Sequence, residues 1–399
     1  MSIIRQIALN RQVKTAMEAF WRERDSILEL TIAIQQIPSP TDAEVEIANL
    51  VEKQFRKIAL TDVGQDSLHN TFGRIQGIAS ERPVIISAHT DTVFPAGTDL
   101  TVRFENQEEP EHGLIYGPGL ADNALGVASL LVLARALKKY RLKTYSDVWF
   151  VANVGEEGLG DLKGMRAIVD RFGDQAIYIV VEGGSYGHIF HEATGVKRYE
   201  LSVQTQGGHS WGDFGSPNAI HVLSHLVSAL YDIALPREPK TTLNVGVIQG
   251  GTTINTIAAE ACCQLDLRST KPEPLAQLVN AVINLVNQSN NNPDVKVAMT
   301  QIGDRPAGTI PPETDLVRWA SAALNYVGKD HVSYLAGSTD ANIPISLGIP
   351  AVCIGLANSG NTHRTDEFLD PTHLPQGFGQ LLLLTLAAAG FDSGRQAIA

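Results

Sequence analysis

The sequence predicts an α/β protein with a mixed, mainly parallel sheet, into which a smaller α+β domain of ferredoxin-like order is inserted. Two observations predict this architecture. From about Thr71, strand patterns alternate with helix patterns, which is typical of parallel sheets. Over residues 195–305 the order becomes β-α-β-β-α-β, and the alternation resumes afterwards. Because 399 residues is long for one core, we predict a discontinuous main domain, residues 1–194 and 306–399, and an inserted domain, residues 195–305.

The elements of the main domain follow from hydrophobic periodicity. Apolar residues at helical spacing predict helices up to about Leu60, including DSILELTIAIQQI and DAEVEIANLVEKQFRKI, with Thr41 or Asp42 as an N-cap. Next come the strand PVIISAH, the helix NALGVASLLVLARALKKY, the strand SDVWFVANV, the helix DLKGMRAIVDRF and the strand AIYIVVE. After the insert, HVSYLA and AVCIG are predicted strands, and LPQGFGQLLLLTLAAAGF is a predicted helix.

The inserted domain has its own pattern. VKRYELSVQTQ alternates between polar and apolar residues, as a half-exposed strand does. The helix NAIHVLSHLVSALYDI, the strands TTLNVGVIQ and AEACCQLDLRS, the helix PLAQLVNAVINLVNQ and the strand DVKVAMTQI complete the predicted unit. A small sheet with helices on one face is expected, so an edge or a face of that sheet stays exposed.

Composition narrows the classes of partner. A net charge of −12 argues against nucleic acid or an anionic membrane surface as a partner. No apolar run approaches the ~18 residues of a membrane span, and the first 25 residues lack the apolar segment of a signal peptide. The three cysteines, two of them adjacent, form neither a disulfide framework nor a zinc-binding pattern. These features predict a cytoplasmic protein.

Polar side chains follow the predicted strands at the point where each strand ends. They are His89, Asp91, Asp122, Asn123, Glu156, Glu157, Glu182 and His363. In open α/β sheets the carboxyl ends of the strands form the ligand-binding crevice, so these groups are expected to converge. Converging carboxylates repel one another, and divalent cations remove that repulsion. Each motif alone is common by chance, but the complete set predicts a metal site.

Eight motifs together resemble one enzyme family. They are HTD, GPGLADN, GEEG, VEGG, TQGGHS, TTINTIAAEACCQLDLRS, GSTDAN and NTHRTDE. The set is similar to the dinuclear zinc peptidase and aminoacylase family, which includes glutamate carboxypeptidase, succinyl-diaminopimelate desuccinylase, acetylornithine deacetylase and peptidase T. The resemblance covers about Ser39 to Phe391, and within the family HTDTVF followed by LIYGPGLADN is similar to the pattern of glutamate carboxypeptidase. It implies a zinc-peptidase-like catalytic domain that is interrupted by a lid or dimerisation domain.

The resemblance also implies a role for each residue at the strand ends. The implied metal ligands are His89, Asp122, Glu157, Glu182 and His363. Asp122 would bridge two divalent ions, which are expected to be zinc, with cobalt or manganese as replacements. Glu156 would be the general base, and Asp91 would accept a hydrogen bond from His89 and fix its tautomer. Many family members have a second Asp where this chain has Asn123, which puts the local hydrogen bonding in question.

The implied substrate is a small peptide or an N-acyl amino acid with an amide bond next to a free carboxylate. His209 would stabilise the oxyanion, and Asn255, Arg268 and Gly337 would contact the substrate. Arg268 offers two-pronged donor geometry for a carboxylate. In dimeric members the His equivalent to His209 reaches into the partner's active site, so a homodimer through the inserted domain is expected.

Other functions fit parts of the same sequence. An N-acyl amino acid deacylase or a tripeptidase of the same family fits the same residues. GGSYG matches the nucleophile elbow of serine hydrolases at Ser185, but the segment that follows is strand-like, whereas the elbow requires a helix. His221 and His225 lie four apart on a predicted helix and are expected to be structural rather than a metal pair. A catalytically inactive binding protein would not need the complete ligand set.

Overall fold

The computed structural model describes residues 2–79, 82–106, 113–329, 331–393 and 397–398. Internal packing divides the chain into two units, Met1–Glu192 with Thr309–Ala399, and Ala193–Gly308. The first is called the main unit below, and the second the inserted unit. A lid or dimerisation role for the inserted unit stays a prediction.

The helices and strands run in chain order as follows. The first part of the main unit contains α1 Ile3–Ala8, α2 Arg11–Arg22, α3 Arg24–Gln35, α4 Val45–Ile58, β1 Thr61–Gln65, β2 Thr71–Ile75, β3 Val84–His89, β4 Arg103–Phe104, β5 Ile115–Tyr116, α5 Leu125–Lys139, β6 Val148–Asn153, α6 Lys163–Phe172, β7 Ile177–Glu182 and β8 His188–Ala193. The inserted unit contains β9 Gly195–Gln204, β10 Gly208–His209, α7 Ala219–Tyr231, β11 Thr241–Gly250, β12 Thr256–Ile257, β13 Glu260–Ser269, α8 Pro272–Ser289 and β14 Lys296–Arg305. The chain continues with β15 Gly308–Thr309, α9 Asp315–Tyr326, β16 Ser333–Gly337, α10 Asn342–Ser346, β17 Ala351–Gly355, β18 Asn358–Gly360, β19 Phe368–Asp370, α11 Leu374–Ala388, β20 Phe391–Asp392 and β21 Ala397–Ile398.

The central sheet is mixed, as the sequence predicts. Within the described residues its order is β1-β2-β6-β3-β7-β17-β8-β15, with β16 paired to β8. The pairs β3–β6, β3–β7 and β7–β17 are parallel, whereas β1–β2, β2–β6 and β8–β17 are antiparallel. The description "mainly parallel" is therefore wrong at the sides of the sheet, because β1 and β2 on one side and β8 on the other pair antiparallel with their neighbours.

Burial explains the central strands and helix. All six residues of β3 are buried, as expected for a strand that is covered on both faces. Helix α5 is apolar nearly all round and is buried against α3, α4 and β3. The segment Leu120–Lys139 is in fact long and apolar enough to cross a membrane, so the expectation that no run approaches that length is wrong. In the structure 89% of its most apolar window is buried, as in a core helix.

Some elements of the structure differ locally from the predicted ones. The helices α9 and α10 were not predicted. Helix α4 begins at Val45 with Glu44 at its N-cap position, so neither predicted cap residue is used. Thr41 instead donates its hydroxyl hydrogen to Asp91, and Asp42 forms an ion pair with Lys163.

The inserted unit has the predicted β-α-β-β-α-β order over its long elements. Its sheet order is β11-β13-β9-β14 and its long strands pair antiparallel. Alternate residues of β9, such as Leu201 and Val203, are buried with apolar residues of α7 and α8, such as Leu226 and Val282. The other residues of β9 and β13 form a polar face, as the period of two in a strand requires.

Candidate metal centre

The parallel strands bring the predicted ligands to one edge of the central sheet. His89 ends β3, and Glu182 ends the neighbouring strand β7. Glu157 follows the end of β6, whose Asn153 is the register partner of His89. The carboxyl ends of parallel strands share one edge, so these side chains lie close together. Asp122 lies in the turn over Leu120–Ala124 that leads into α5, and His363 lies in the β18–β19 connection.

Five side chains form two groups that share one carboxylate. In the first group, His89 Nε2 lies 3.1 Å from Asp122 Oδ1 and 3.5 Å from Glu182 Oε2. In the second, His363 Nε2 lies 3.2 Å from Asp122 Oδ2 and 3.1 Å from Glu157 Oε1. The ligand atoms of each group all lie within 4.8 Å of one another. Asp122 therefore presents one oxygen to each group, which is the arrangement of a bridging carboxylate.

The carboxylates of the two groups favour positive charge on the neighbouring imidazoles. Burial alone would lower the pKa of His89, but Glu182 and Asp122 outweigh it and hold that pKa well above its usual value. Hydrogen bonds to Asp122 and Glu157 raise the pKa of His363 to about 10. Burial would raise the pKa of Asp122, yet the two imidazoles hold it well below its usual value. The three carboxylates therefore favour positive charge on both imidazoles.

The donor set fits two divalent cations. Each group offers one imidazole nitrogen and two carboxylate oxygens, which suits zinc and also cobalt or manganese. His89 presents Nε2 to its group because its Nδ1 is hydrogen bonded elsewhere, which fixes the tautomer as metal-binding histidines require. Cations would replace the two protons that the imidazoles otherwise carry.

Asp91 is placed differently from the expectation. The Nδ1 of His89 lies 3.0 Å from the main-chain carbonyl oxygen of Asp91, whereas the Asp91 carboxylate is 3.6 Å away, too far for a hydrogen bond. The carboxylate instead accepts hydrogen bonds from the backbone N–H groups of Glu156 and Glu157, both at 2.9 Å. Thr41 Oγ1 donates a third at 2.8 Å. Asp91 thus orients His89 through its main chain and holds the Glu156–Glu157 segment through its side chain.

The adjacent residues Glu156 and Glu157 are both buried, but they occupy different positions. Glu157 belongs to the second group, whereas Glu156 belongs to neither group. Successive side chains in an extended segment point in opposite directions, which accounts for the difference. The division into one ligand and one base stays a prediction.

Asn123, at the position where the resemblance implies a second Asp, has a defined structural role. Its Nδ2 donates to the carbonyl oxygen of Val181 at 2.9 Å, and its Oδ1 accepts from the N–H groups of Gly183 at 2.9 Å and Gly126 at 3.1 Å. The amide therefore holds the backbone on both sides of Glu182. An ionised carboxylate in this place would have no donor for the Val181 carbonyl.

Two buried carboxyl groups near the site were not singled out from the sequence. Glu367 accepts hydrogen bonds from the backbone around Asp122; burial and the Asp122 charge raise its pKa to about 8. Asp340 accepts a hydrogen bond from Asn153 at 2.6 Å, and burial raises its pKa to about 7. Both lie in motifs quoted above, NTHRTDE and GSTDAN, so an acidic residue in a strand-end motif was the available signal.

Two further residues of the main unit that the sequence singles out are Ser185 and Gly337. Ser185 has a left-handed φ of 63°, as a nucleophile elbow would, but the strand β8 follows it rather than a helix. Gly337 ends β16, where a Cβ atom would lie 2.7 Å from the Phe190 ring, so packing favours glycine at this position. A contact between Gly337 and the substrate stays a prediction.

In the inserted unit, His209 and Asn255 lie on adjacent loops. The Nδ1 of His209 accepts hydrogen bonds from the N–H groups of Trp211 and Gly212, both at 3.2 Å. The carbonyl oxygen of Asn255 accepts from the N–H of Ser210, which ties the two loops together. Because Nδ1 is an acceptor, the proton of the neutral His209 ring is on Nε2, which faces away from the loop's own bonds.

Arg268 lies on β13 of the inserted unit, and two histidines lie on its helix α7. Asp266 accepts from Nε and Nη2 of Arg268 at 2.6 Å and 3.2 Å, and from Nε of Arg198 at 3.1 Å. His221 and His225 are exposed on α7, and among the described residues neither belongs to a group that could hold a metal ion.

Comparisons with known proteins agree with the fold. The family model described as Peptidase family M20/M25/M40 matches residues 85–386. A succinyl-diaminopimelate desuccinylase of Corynebacterium glutamicum is 26% identical, with 85% of this chain and 90% of the relative covered. Carboxypeptidase G2 of a Pseudomonas species is 23% identical, with 88% and 85% covered.

Solved structures share the architecture over nearly the whole chain. A tripeptidase of Staphylococcus aureus superposes with a TM-score of 0.76 at 21% identity, over 92% of this chain and 98% of that one. A Bacillus subtilis protein described as a dinuclear metal binding peptidase superposes with a TM-score of 0.66 at 15% identity, over 92% and 99%. At these identities the likeness concerns the fold.

Proposed function

The chain belongs to peptidase family M20/M25/M40, and from this premise we propose that it is a metal-dependent hydrolase that cleaves an amide bond next to a free carboxylate. One observation carries the proposal. The two oxygens of Asp122 each face a separate group of donors, His89 with Glu182 and His363 with Glu157. Such sharing is the arrangement of a two-metal site, and a purely structural ion-pair network does not require it.

The proposed reaction divides the work between bound cations and the protein. Two divalent cations at this site would supply Lewis acidity and lower the pKa of a water molecule. Glu156 takes a proton from the attacking water on its carboxylate and delivers that proton to the nitrogen of the leaving amine. Asp91 holds the backbone of Glu156 in place through the N–H bond described above. Burial of Glu156 limits the access of bulk water to this base.

His209 is proposed to stabilise the oxyanion of the tetrahedral intermediate. Its Nδ1 accepts two backbone hydrogen bonds, so Nε2–H is the ring's available donor. A preorganised N–H donor aimed at a developing oxyanion acts mainly on the transition state. Whether His209 acts on its own chain or on a partner's site is decided by the oligomeric state.

Arg268 is proposed to bind the free carboxylate of the substrate. Arg198, Asp266 and Arg268 form a cluster on the polar face of the inserted sheet, with a net charge of one positive unit by simple addition. Burial would raise the pKa of Asp266, but the two guanidinium groups hold it below its usual value, so it stays ionised. Asp266 orients Arg268, whose remaining N–H groups suit a carboxylate. Asn255 and Gly337 are proposed as further substrate contacts.

The inserted unit is proposed to form a homodimer through the edge strand β11. This strand pairs with β13 on one side and with no other strand among the described residues. Its residue Ile248 is 57% exposed, and Tyr231 at the end of the adjacent α7 is 88% exposed. Antiparallel pairing of two β11 edges would cover this surface about a two-fold axis. Light scattering with size-exclusion chromatography tests it, and a strictly monomeric protein rules it out.

A second candidate is an N-acyl amino acid deacylase, in particular one that removes a succinyl group. The observation that favours it is the similarity to the Corynebacterium desuccinylase and to a putative desuccinylase of Mycobacterium tuberculosis, at 28% identity. An N-succinyl amino acid also presents an amide next to a carboxylate, so the same catalytic residues would serve.

The test is a hydrolysis screen of the purified protein. Zinc-, cobalt- and manganese-loaded samples are assayed against dipeptides, tripeptides, N-acetyl and N-succinyl amino acids. We expect two metal ions per chain and hydrolysis that EDTA abolishes and added metal restores. Hydrolysis that survives complete metal removal and is lost in Ser185→Ala would contradict the proposal and support a serine hydrolase. The product of the best substrate separates a peptidase from a deacylase.

A further inference from the structure

The carboxylate of Glu367 is bonded to the backbone of the segment that carries Asp122. Its Oε1 accepts from the N–H groups of Ala121 at 2.8 Å and Asp122 at 3.0 Å, and its Oε2 accepts from Gly119 at 3.2 Å. Its own main-chain oxygen accepts from Gly117 at 2.8 Å. Glu367 is fully buried, so these bonds are shielded from water. One residue thus holds most of the turn that leads into α5.

This turn needs an external acceptor. The first N–H groups of a helix have no partner within the helix, and the turn over Leu120–Ala124 has no side-chain cap of its own. Asp122 has φ −118° and ψ 84°, which is outside the helical region. The direction of its side chain is therefore not set by helical geometry, and its backbone N–H is bonded to Glu367 rather than to the helix.

A second brace near the site serves for comparison. The Asn123 amide bonds Val181 and Gly183, the residues before and after Glu182. Glu182 belongs to the first group alone, whereas Asp122 belongs to both groups. Loss of the Asn123 brace should therefore disturb one group, and loss of the Glu367 brace should disturb two.

We propose that Glu367 is a positioning residue that aims the Asp122 carboxylate, so that both metal-binding groups depend on it although it binds no metal itself. The inference rests on the proposed two-metal function. It also links the two groups physically, because Glu367 lies in the same connection as His363 and reaches the segment of Asp122.

Two variants separate hydrogen bonding from charge. Glu367→Ala removes all three acceptor contacts. Glu367→Gln cannot ionise but keeps an oxygen that can accept from Ala121 and Asp122, so only the Gly119 N–H meets an amide N–H. If Glu367 acts by holding the backbone, Glu367→Gln is close to the wild type and Glu367→Ala is not. If Glu367 acts through its charge, the two variants behave alike, and the proposal is wrong.

Metal binding is measured by calorimetric titration of the metal-free protein with zinc, and by the visible absorption of the cobalt form. We expect Glu367→Ala to weaken both binding steps by about 10–100-fold, the usual effect of losing a residue that supports a ligand. Asn123→Ala is expected to weaken one step only. Asp370→Asn is the matched control, because Asp370 lies three residues on and bonds Thr372 and Asn358 instead. Weakening of a single step in Glu367→Ala would overturn the proposal.

Hydrogen–deuterium exchange of the metal-free protein supplies a reading that does not depend on metal. The peptide that contains Gly119–Asp122 should exchange faster in Glu367→Ala than in the wild type, whereas its exchange rate in Asp370→Asn should be unchanged. The rest of the chain should exchange as in the wild type. Unchanged exchange in Glu367→Ala means that Glu367 does not hold this segment, and the proposal fails. If the segment exchanges faster in Glu367→Ala but the wild type binds no metal, the proposed function is wrong, and Glu367 only stabilises the backbone of this segment.

Discussion

The substitution Asp91→Asn tests how the site is held together. The Asp91 carboxylate accepts three hydrogen bonds, from the N–H groups of Glu156 and Glu157 and from the hydroxyl of Thr41. In Asn one oxygen becomes an NH2 group. The better orientation keeps the oxygen on Glu157 and Thr41, which share Oδ2, and turns the NH2 group against the N–H of Glu156.

The magnitude follows from that one conflict. A buried N–H that loses its acceptor costs about 1–3 kcal/mol, and we expect the free energy of unfolding of the metal-free protein to fall by this amount. Displacement of Glu156 should also lower kcat/KM; if the same energy is lost from the transition state, the decrease is roughly 5–150-fold. Zinc affinity should change little, because His89 is oriented by the main-chain carbonyl of Asp91, which the substitution leaves in place.

The assays are urea unfolding of the metal-free protein, calorimetric zinc titration and steady-state hydrolysis. Thr41→Val is the control, since it removes one donor to the same carboxylate and should cost about 1 kcal/mol. The reasoning is refuted if Asp91→Asn weakens zinc binding by about 10–100-fold while stability is unchanged. That result would mean that the carboxylate acts on His89 after all.

Three further predictions concern the proposed chemistry. Glu156→Gln should keep both metal ions, measured by elemental analysis, and lower kcat by about 10²–10⁴-fold, because the base is removed and the ligands are not. Loss of metal in this variant would mean that Glu156 is the ligand and Glu157 the base. His209→Ala should lower kcat by about 10²–10³-fold with a smaller rise in KM, because it acts on the transition state; equal effects on stability and both constants would indicate a structural role. The metal-free protein should be less stable at high pH, measured by thermal unfolding from pH 5 to 10. The folded pKa of His363 is raised from 6.5 to about 10, so its contribution is fully present below about pH 6.5 and is lost as pH rises through about 10. Stability that is constant over that range would contradict the imidazolium arrangement.

The sequence was most informative where local order dictates position. His89 and Glu182 end strands, and a strand end in a parallel sheet specifies an edge, so their convergence could be predicted. The roles of Asp91 and Glu367 could not, because they depend on contacts between segments far apart in the chain. The Glu367 side chain reaches a residue 245 positions away, and no local pattern encodes such a contact.

The sides of the sheet were also beyond the reach of sequence patterns. A strand-like run of residues predicts a strand but not the direction of its neighbour, so the antiparallel pairing of β8 is not predictable in this way, and β2 is not among the predicted strands. The presence of Asn123 where the resemblance implies a second Asp is visible in the sequence, but its structural effect is not. Its effect depends on two backbone groups beside Glu182, which only the folded chain brings to it.

The apolar segment Leu120–Lys139 has a consequence for synthesis of the chain. In the folded protein α5 is covered in part by α11, which leaves the ribosome only after the whole inserted unit. Chains are synthesised at roughly 5–20 residues per second. The apolar segment therefore stays exposed for many seconds before α11 is available to pack against it. A holdase chaperone that binds exposed apolar helices would find its target here. A fragment that stops before α11 should therefore aggregate on expression, even though its other elements are intact.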